Sequence, residues 1–264
     1  MNLQLSNIFN HLSHSSLTNT MPSSRVSFFF DLLSLALIFQ TVVGTNPLLH
    51  FCSSNDNFTS HSPYETSLKK LMSNFYYLAP PSGFALGSLA QSTQERAYGL
   101  ALCRGDVSAS DCRTCVAEAS NEIRKLCPYK KGGIIWYNNC VLKYSNKDFF
   151  GQIDKQNKFY LLNVQNASDP MAFNQRTKQL LSQLAQNASI NPRMYAAGEM
   201  EVDEGSEKVY GMAQCTRDLS SDDCKKCLDG AIGELPSCCY GKQGGRVVGG
   251  SCTIRYEIYP FVNA

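Results

Sequence analysis

The amino-acid sequence predicts an α+β fold of two tandem domains, each an antiparallel β-sheet with two helices packed on one face and stapled by disulfides. Three observations lead to this prediction. Cysteines recur at a constant offset of 112 residues, apolar side chains repeat at helical spacing, and each repeat ends in a segment rich in β-branched and aromatic residues. A helical layer on one face of an antiparallel sheet is the simplest arrangement that buries both apolar surfaces.

The cysteine repeat indicates the number of domains. Its first copy, Cys103, Cys112, Cys115, Cys127 and Cys140, returns as Cys215, Cys224, Cys227, Cys239 and Cys252. The pairs Tyr98-Gly99 and Tyr210-Gly211 keep the same offset. This many positions in one register indicate a tandem duplication of a domain-sized unit. We expect an upstream extension and secretory signal at 1–44, a first domain at 45–148 and a second at 149–264.

Two helices are predicted in each unit. The first has apolar residues three and four positions apart, which is the period of an α-helix. These residues are Leu68, Leu71, Met72 and Phe75 in the first unit, and Leu180, Leu181, Leu184 and Ala185 in the second. The second helix is expected to follow Ser110-Asp111, because Ser and Asp are preferred N-cap residues. Asp222-Asp223 is expected to start the corresponding helix of the second unit, where the helix dipole favours negative charge.

The end of each unit predicts β-strands. The segments Ile134–Tyr144 and Arg246–Tyr259 are rich in β-branched and aromatic residues, which are enriched in strands. In the second segment, every other residue from Cys252 to Ile258 is apolar. Because successive strand side chains point to opposite faces, these residues are expected to lie on one face of the sheet.

Composition and charge exclude several classes of protein. The chain has 264 residues and a formal net charge of +2, whereas a nucleic-acid binder usually carries a strong basic stripe. Its four histidines stand at positions 11, 14, 50 and 61, and none follows. A hydrolase triad or a histidine-ligated metal site beyond residue 61 would lack its usual base or ligand. We therefore expect no enzymatic activity, no metal and no cofactor.

The amino terminus predicts export. A short apolar run, Phe28–Phe39, follows Arg25 and precedes Thr41-Val42-Val43-Gly44. A basic start, a short apolar core and small residues at the cut are typical of a secretory signal, and this run is too short to span a bilayer. Met21 is the expected start, and no membrane anchor is expected. Three sequons are then candidate N-glycosylation sites: Asn57, Asn166 and Asn187.

The two CxxC pairs are compatible with three chemistries. Cys112-x-x-Cys115 and Cys224-x-x-Cys227 fit redox dithiols, zinc ligands or halves of structural disulfides. A redox pair needs a thioredoxin-like βαβ context, and a zinc site would need four thiolates, for example with Cys127 and Cys140. An oxidising compartment favours disulfides, so structural disulfides are the preferred interpretation.

The spacing C-x8-C-x2-C is more specific. It occurs as Cys103-RGDVSASD-Cys112-RT-Cys115 and again as Cys215-TRDLSSDD-Cys224-KK-Cys227. It resembles the stress-antifungal domain of plants, which occurs in ginkbilobin, cysteine-rich receptor-like kinases, plasmodesmal proteins and cysteine-rich repeat secretory proteins. The resemblance covers about residues 45–264. Because neither a membrane span nor a kinase is predicted, it points to the cysteine-rich repeat secretory proteins.

The resemblance also implies a disulfide pairing. The implied bonds are Cys52–Cys127, Cys103–Cys112 and Cys115–Cys140 in the first domain, and Cys215–Cys224 and Cys227–Cys252 in the second. The second domain has no counterpart of Cys52, since Leu162 stands near that place. Cys239 thus lacks the partner that the family would provide, and Cys238 stands beside it. Three states stay open for this vicinal pair: a disulfide ring, two buried thiols, or a cross-link elsewhere.

The resemblance further implies a carbohydrate site. Ginkbilobin binds mannose through an Asn on its first strand, an Arg on the penultimate strand and a Glu on the last. By position these residues are Asn163, Arg246 and Glu257 in the second domain, and Ser53, Ile134 and Ser145 in the first. Only the second domain is therefore expected to keep the sugar site. The plainer alternative is a cross-strand ion pair between Arg246 and Glu257, which contributes about 0–1 kcal/mol when exposed.

These observations predict a secreted, apoplastic, non-enzymatic recognition protein of plant defence or stress response. Mannose-containing glycans are the expected ligands, in a lectin-like role. The alternative is an extracellular protein–protein interaction module in cell-surface signalling. A contiguous apolar patch would favour a protein partner, and a polar cleft at Arg246 and Glu257 would favour sugar. Exposed aromatic residues would support the protein partner, although most are expected in the core. The candidates are Tyr76, Tyr77, Phe149 and Phe150.

Overall fold

The computed structural model describes residues 46–53, 56–90, 95–202 and 207–263. The predicted extension and signal, residues 1–44, lie outside the described residues. The boundary between the domains at 148 and 149 also stays a prediction. Within the described ranges, no helix combines the length and the apolar character that a membrane span requires.

The first domain is built on a five-stranded antiparallel sheet. Its strands are β1 (Leu49–Cys52), β2 (Phe84–Leu89), β3 (Ala97–Cys103), β4 (Gly133–Trp136) and β5 (Cys140–Ser145), in the order β1-β4-β5-β3-β2. Two helices, α1 (Pro63–Ser82) and α2 (Ala109–Leu126), pack on each other and on the sheet. Their apolar faces and the sheet share one core.

The second domain repeats this architecture. Its strands are β6 (Lys158–Leu162), β7 (Tyr195–Glu201), β8 (Lys208–Cys215), β9 (Gly245–Gly249) and β10 (Cys252–Glu257), in the order β6-β9-β10-β8-β7. Its helices are α3 (Pro170–Ile190), α4 (Ser221–Gly233) and the single turn α5 (Leu235–Cys238). The strand order matches that of the first sheet element by element, so the predicted tandem α+β fold is confirmed.

The apolar helix faces predicted from residue spacing lie in the two cores. All eight of these positions on α1 and α3 are at most 4% exposed. The repeated Tyr-Gly pair has a packing reason. A Cβ at Gly99 would lie 3.0 Å from Leu71, and a Cβ at Gly211 would lie 3.0 Å from Leu180. Glycine at this place in β3 and β8 therefore lets the long helix approach the sheet closely.

The predicted start of α2 is wrong. The helix begins at Ala109 with Ser108 as its N-cap, before Ser110-Asp111. Ser108 Oγ accepts a hydrogen bond from the Asp111 N–H at 3.1 Å, which satisfies a backbone donor that has no partner inside the helix. In α4, Ser220 accepts from the Asp223 N–H at 3.1 Å in the same way. The aspartate thus lies in the first turn rather than at the cap.

Each predicted β segment forms a pair of antiparallel strands. In the first domain Trp136 of β4 pairs with Val141 of β5, and in the second Val248 of β9 pairs with Thr253 of β10. The apolar positions of β10 up to Tyr256 are buried as predicted. Ile258 lies beyond the end of the strand and is partly buried against the core.

Six disulfides link the twelve cysteines. Five follow the pairing implied by the resemblance: Cys52–Cys127, Cys103–Cys112, Cys115–Cys140, Cys215–Cys224 and Cys227–Cys252. The sixth joins the neighbours Cys238 and Cys239. Leu162 occupies the place of Cys52, because Leu162 pairs with Gly245 as Cys52 pairs with Gly133. The second domain thus replaces a long-range cross-link with a local one.

The two sheets contact each other through β4 and β9. Ile134, Trp136 and Val248 form a buried apolar cluster there. The indole N–H of Trp136 donates a hydrogen bond to the carbonyl oxygen of Gly249 at 3.0 Å. Because of this contact, residues that follow β4 lie beside the ends of β9 and β10, where the predicted sugar residues are.

Candidate functional site

The three predicted sugar residues lie together. Asn163 follows β6, Arg246 is the second residue of β9, and Glu257 ends β10. These strands are adjacent in the order β6-β9-β10, and all three residues line one cleft of about 220 Å³. Residues 94 positions apart in the chain are therefore brought to one edge of the second sheet.

The backbone supports the placement of Asn163. Its N–H donates to the Gly244 carbonyl oxygen at 2.8 Å, just as the Ser53 N–H donates to Gly132 at 2.9 Å in the first domain. Asn163 and Ser53 are thus equivalent positions. The Asn163 Oδ1 accepts a hydrogen bond from the Gln165 N–H at 3.0 Å, which leaves the Nδ2 group to donate to a ligand.

The equivalent place in the first domain carries different side chains. Ile134, the counterpart of Arg246, is 2% exposed and lies in the cluster between the sheets. Ser145, the counterpart of Glu257, ends β5 and accepts a hydrogen bond from the Lys147 N–H through its hydroxyl at 2.9 Å. An apolar side chain and a short hydroxyl thus replace the guanidinium and the carboxylate.

Glu257 has a closer cationic partner than the predicted one. Arg255 Nε lies 2.9 Å from Glu257 Oε1, whereas Arg246 Nε lies 3.9 Å away. Glu257 and Arg255 are 6% and 8% exposed. Residues two apart on a strand share a face, so Arg255 was detectable from its spacing to Glu257. It was missed because the relationship to ginkbilobin assigns no role to that position.

Arg246 is held between the two domains. Its Nη1 donates to Asn138 Oδ1 of the first domain at 2.7 Å, and its partner across the β9–β10 ladder is Arg255. Burial, and after it the positive charge of Arg255, lower the pKa of Arg246 to about 10. The guanidinium therefore stays charged at neutral pH, in an environment that offsets its charge incompletely.

Tyr259 supplies the aromatic group that the sequence did not assign. It lines the same cleft and is 46% exposed. Arg255 Nη2 donates to its hydroxyl at 3.4 Å. A tyrosine presents an apolar ring face beside a polar tip, which is the combination that a sugar ring with a hydrophobic C–H face can use.

Gly244 makes room for the Glu257 carboxylate. A Cβ at Gly244 would collide with Oε2 of Glu257. At the equivalent Gly132 of the first domain, the nearest atom to such a Cβ is the Ser53 Cβ at 3.3 Å. The glycine before β9 therefore makes room for the carboxylate of the cleft, in addition to any packing that both domains share.

The other predicted positions lie apart from the cleft. All three sequon asparagines are exposed: Asn57 forms an isolated β-bridge with Lys130, Asn166 accepts a hydrogen bond from Lys242 Nζ at 2.8 Å, and Asn187 lies in the last turns of α3. In the described part of the chain, no group of three or more histidine, cysteine, aspartate or glutamate side chains is arranged to hold a metal ion.

An exposed apolar group is present on α1. Tyr76, Tyr77 and Leu78 are 37%, 67% and 59% exposed, and the two tyrosine rings contact edge to face at 4.9 Å. These two tyrosines are exceptions to the expectation that most aromatic residues lie in the core. Their positions in the helix face solvent because the opposite stripe, which includes Phe75, faces the sheet.

Comparisons with known proteins agree with the fold. The family model described as salt stress response/antifungal matches residues 51–147 and 162–259. An antimicrobial ginkbilobin-2-like protein of Castanea crenata is 56% identical over 244 residues, covering 92% of this chain and all of the relative. Cysteine-rich repeat secretory protein 38 of Arabidopsis thaliana is 50% identical over 252 residues, covering 92% of this chain and 99% of the relative.

Two solved structures have the same architecture. The tandem ectodomain of the cysteine-rich receptor-like protein PDLP8 of Arabidopsis thaliana superposes with a TM-score of 0.70 at 25% identity, covering 80% of this chain and 97% of that one. The corresponding ectodomain of PDLP5 gives a TM-score of 0.67 at 30% identity, covering 81% of this chain and all of that one.

The similar proteins also agree on location. The relatives include proteins named as secretory, and the similar structures are ectodomains, so the chain is a secreted, extracellular protein. With two copies of the matching domain over most of its length, the chain belongs to the salt stress response/antifungal family of cysteine-rich proteins.

Proposed function

We propose that this protein is a non-enzymatic recognition protein of plant defence or stress response that binds a mannose-type sugar in the cleft of its second domain. The observation that carries the proposal is the convergence of Asn163, Arg246 and Glu257 on one cleft. Tyr259 adds an aromatic ring to the same lining. A few convergent polar groups in a concave site are typical of small-ligand recognition.

The hydrogen-bonding groups of the cleft suit a hexose. Adjacent sugar hydroxyls donate and accept at once, so a binding site needs both kinds of partner. Glu257 accepts, the Arg246 guanidinium donates, and the Asn163 amide nitrogen donates. Charged partners make such hydrogen bonds about twice as strong as neutral ones. The volume of about 220 Å³ is below the roughly 300 Å³ of the smallest drug-sized pockets, which favours a single sugar ring.

Binding to immobilised glycans tests the proposal. The secreted protein is compared with the double variant Arg246→Ala, Glu257→Ala on an array that includes terminal mannose. We expect wild-type binding to be lost in the double variant. The matched control is Ser145→Ala, which changes the position equivalent to Glu257 in the first domain and leaves the cleft intact. Sugar binding that survives the double substitution would defeat the assignment.

A protein–protein interaction module is the second candidate function. The observation that favours it is the exposed group formed by Tyr76, Tyr77 and Leu78 on α1, which lies on the helix rather than in the cleft. Affinity capture from a cell-wall extract, with and without methyl α-mannoside, separates the two candidates. The capture is repeated with the variant Tyr77→Ser. Proteins that are no longer captured when the sugar is added support binding at the cleft. Proteins that are lost only with Tyr77→Ser support binding at the surface of α1.

A further inference from the structure

Among the described residues, the charges around the cleft do not cancel. Glu257 is the carboxylate that lines it, and Arg255 lies behind it at 2.9 Å. These two buried groups form the close ion pair of the site. Arg246 then adds a second positive charge to the same face, because it stands opposite Arg255 in the β9–β10 ladder.

A nearby pair from the first domain does not remove this excess. Arg104 contacts Asp106 with two hydrogen bonds, at 2.5 Å and 2.8 Å, so those charges offset each other. Arg104, Arg246 and Arg255 all line the small cavity between the domains. In the described part of the chain, Arg246 forms its ion pair with Glu257. The distance between Arg246 Nε and Glu257 Oε1 is 3.9 Å. Of these three arginines, Arg246 is therefore the one whose charge is offset least.

The surroundings of Arg246 make an anion favourable. Its side chain is 18% exposed, so water screens its charge less than at an open surface. One of its five N–H groups donates to the neutral amide oxygen of Asn138, which contributes no negative charge. The planar fork of a guanidinium matches the two oxygens of a carboxylate.

We propose that the cleft prefers an acidic sugar, a hexuronate whose ring carboxylate binds the Arg246 guanidinium. This inference rests on the proposed sugar site and specifies its ligand. The sugar ring lies against Tyr259, its hydroxyls donate to Glu257, and Asn163 donates to a ring substituent. The carboxylate of the sugar binds the Arg246 guanidinium, and Arg255 offsets the charge of the neighbouring Glu257.

Three matched ligands test this preference by isothermal titration: methyl α-mannoside, the corresponding methyl mannuronide, and the methyl ester of that mannuronide. The acid and its ester share one ring and differ in charge. We expect the wild-type protein to bind the acid at least about tenfold more tightly than the ester, since charge-assisted hydrogen bonds are the stronger kind. The preference should shrink between about 50 mM and about 500 mM salt as the Debye length falls.

Substitutions assign the preference to Arg246. Arg246→Gln is expected to bring the ratio of acid to ester affinity close to one, and Arg246→Lys to give an intermediate ratio, because it keeps the charge without the fork. Lys158→Gln is the control, since it removes an exposed cation of β6 that is paired with Glu234. If Arg246→Gln is not secreted, the ratio of acid to ester affinity in the wild-type protein and in Arg246→Lys still tests the proposal.

The outcomes separate this inference from the proposed function. Equal affinity of the wild-type protein for acid and ester, with the mannoside also bound, overturns the acidic preference and leaves the mannose site standing. Binding of none of the three ligands overturns both. Binding of the acid alone supports the acidic preference and rejects neutral mannose as the ligand.

Discussion

Asn138 of the first domain accepts a hydrogen bond from Arg246 of the second at 2.7 Å. Arg246 would otherwise have a long, rotatable side chain at the rim of the cleft. The contact orders it, and it makes the site of one domain depend on the other. The tandem arrangement therefore bears on the cleft as well as on the stability of the fold.

We expect Asn138→Ala to weaken sugar binding by about 3- to 10-fold, because ordering one long side chain costs about 0.5–1.5 kcal/mol on association. The midpoint of thermal unfolding should stay nearly unchanged, since Asn138 is exposed. Titration with the best ligand measures the effect. Asn139→Ala is the control, because Asn139 takes part through its backbone carbonyl, which accepts from the Arg104 N–H. Equal losses in both variants would reject the positioning role.

We expect Gly244→Ala to abolish sugar binding, because the new Cβ must displace the Glu257 carboxylate. The free energy of unfolding should fall by about 1–3 kcal/mol, as is usual for overpacking. Gly132→Ala is the matched control in the first domain, where the contact is with Ser53 at 3.3 Å. It should leave sugar binding intact. Binding and urea unfolding of both variants check the prediction, which fails if Gly244→Ala binds normally.

The replaced disulfide gives a stability prediction. Cys52–Cys127 closes a loop with a sequence separation of 75, so replacing both cysteines with serine should cost about 4.5 kcal/mol in the chain-entropy model. The vicinal pair Cys238–Cys239 closes no loop beyond its own peptide unit, so its double serine variant should lose much less. Urea unfolding under non-reducing conditions compares the two. A larger loss in the vicinal variant would contradict this account.

Asp154 gives a pH dependence. Burial opposes its ionisation, but Lys143 Nζ at 2.6 Å and hydrogen bonds from Asn157 outweigh burial and lower the pKa of Asp154. A carboxyl whose pKa is lower in the folded state stabilises the fold above its unfolded pKa of about 3.9. That contribution is lost as the pH falls through the lower folded value. We therefore expect the free energy of unfolding to fall between about pH 5 and pH 2.

Asp154→Asn should flatten that acid slope. At neutral pH it should cost about 3 kcal/mol, because it leaves the mostly buried Lys143 without its anionic partner. The control is Asp229→Asn, which removes the partner of Lys225 in an exposed pair and should cost at most about 1 kcal/mol. Urea unfolding across the pH range measures both. An unchanged acid slope in Asp154→Asn would assign the dependence to other carboxyls.

Local patterns in the chain predicted most of the fold. The helix faces of α1 and α3 followed from the spacing of residues such as Leu68 and Leu180, because a 3.6-residue period reports which side must be buried. The helix start at Ser108 was missed, since Ser108, Ser110 and Asp111 all suit a cap. The repeated spacing Ser-x-x-Asp, which occurs at Ser108 and again at Ser220, is the local pattern that distinguishes the cap.

The candidate site was predicted in part. Asn163, Arg246 and Glu257 came from their positions relative to the cysteines, and the strand order brings them to one cleft. Arg255 and Tyr259 were missed, although both follow the last cysteine closely. Arg255 was detectable, because residues two apart on a strand share a face. Tyr259 lies beyond the end of β10, so its place depends on the path of the chain after the strand.

The sequence alone determined the duplication, the disulfide-rich extracellular character and the two helix-on-sheet units, because these depend on spacing along one chain. The tertiary structure decided which charge of the cleft is offset and which is not. Arg255 pairs with Glu257, and Arg246 is left between Asn138 and the cleft. Coulomb interactions depend on distance and burial across strands and domains, and residue spacing carries neither.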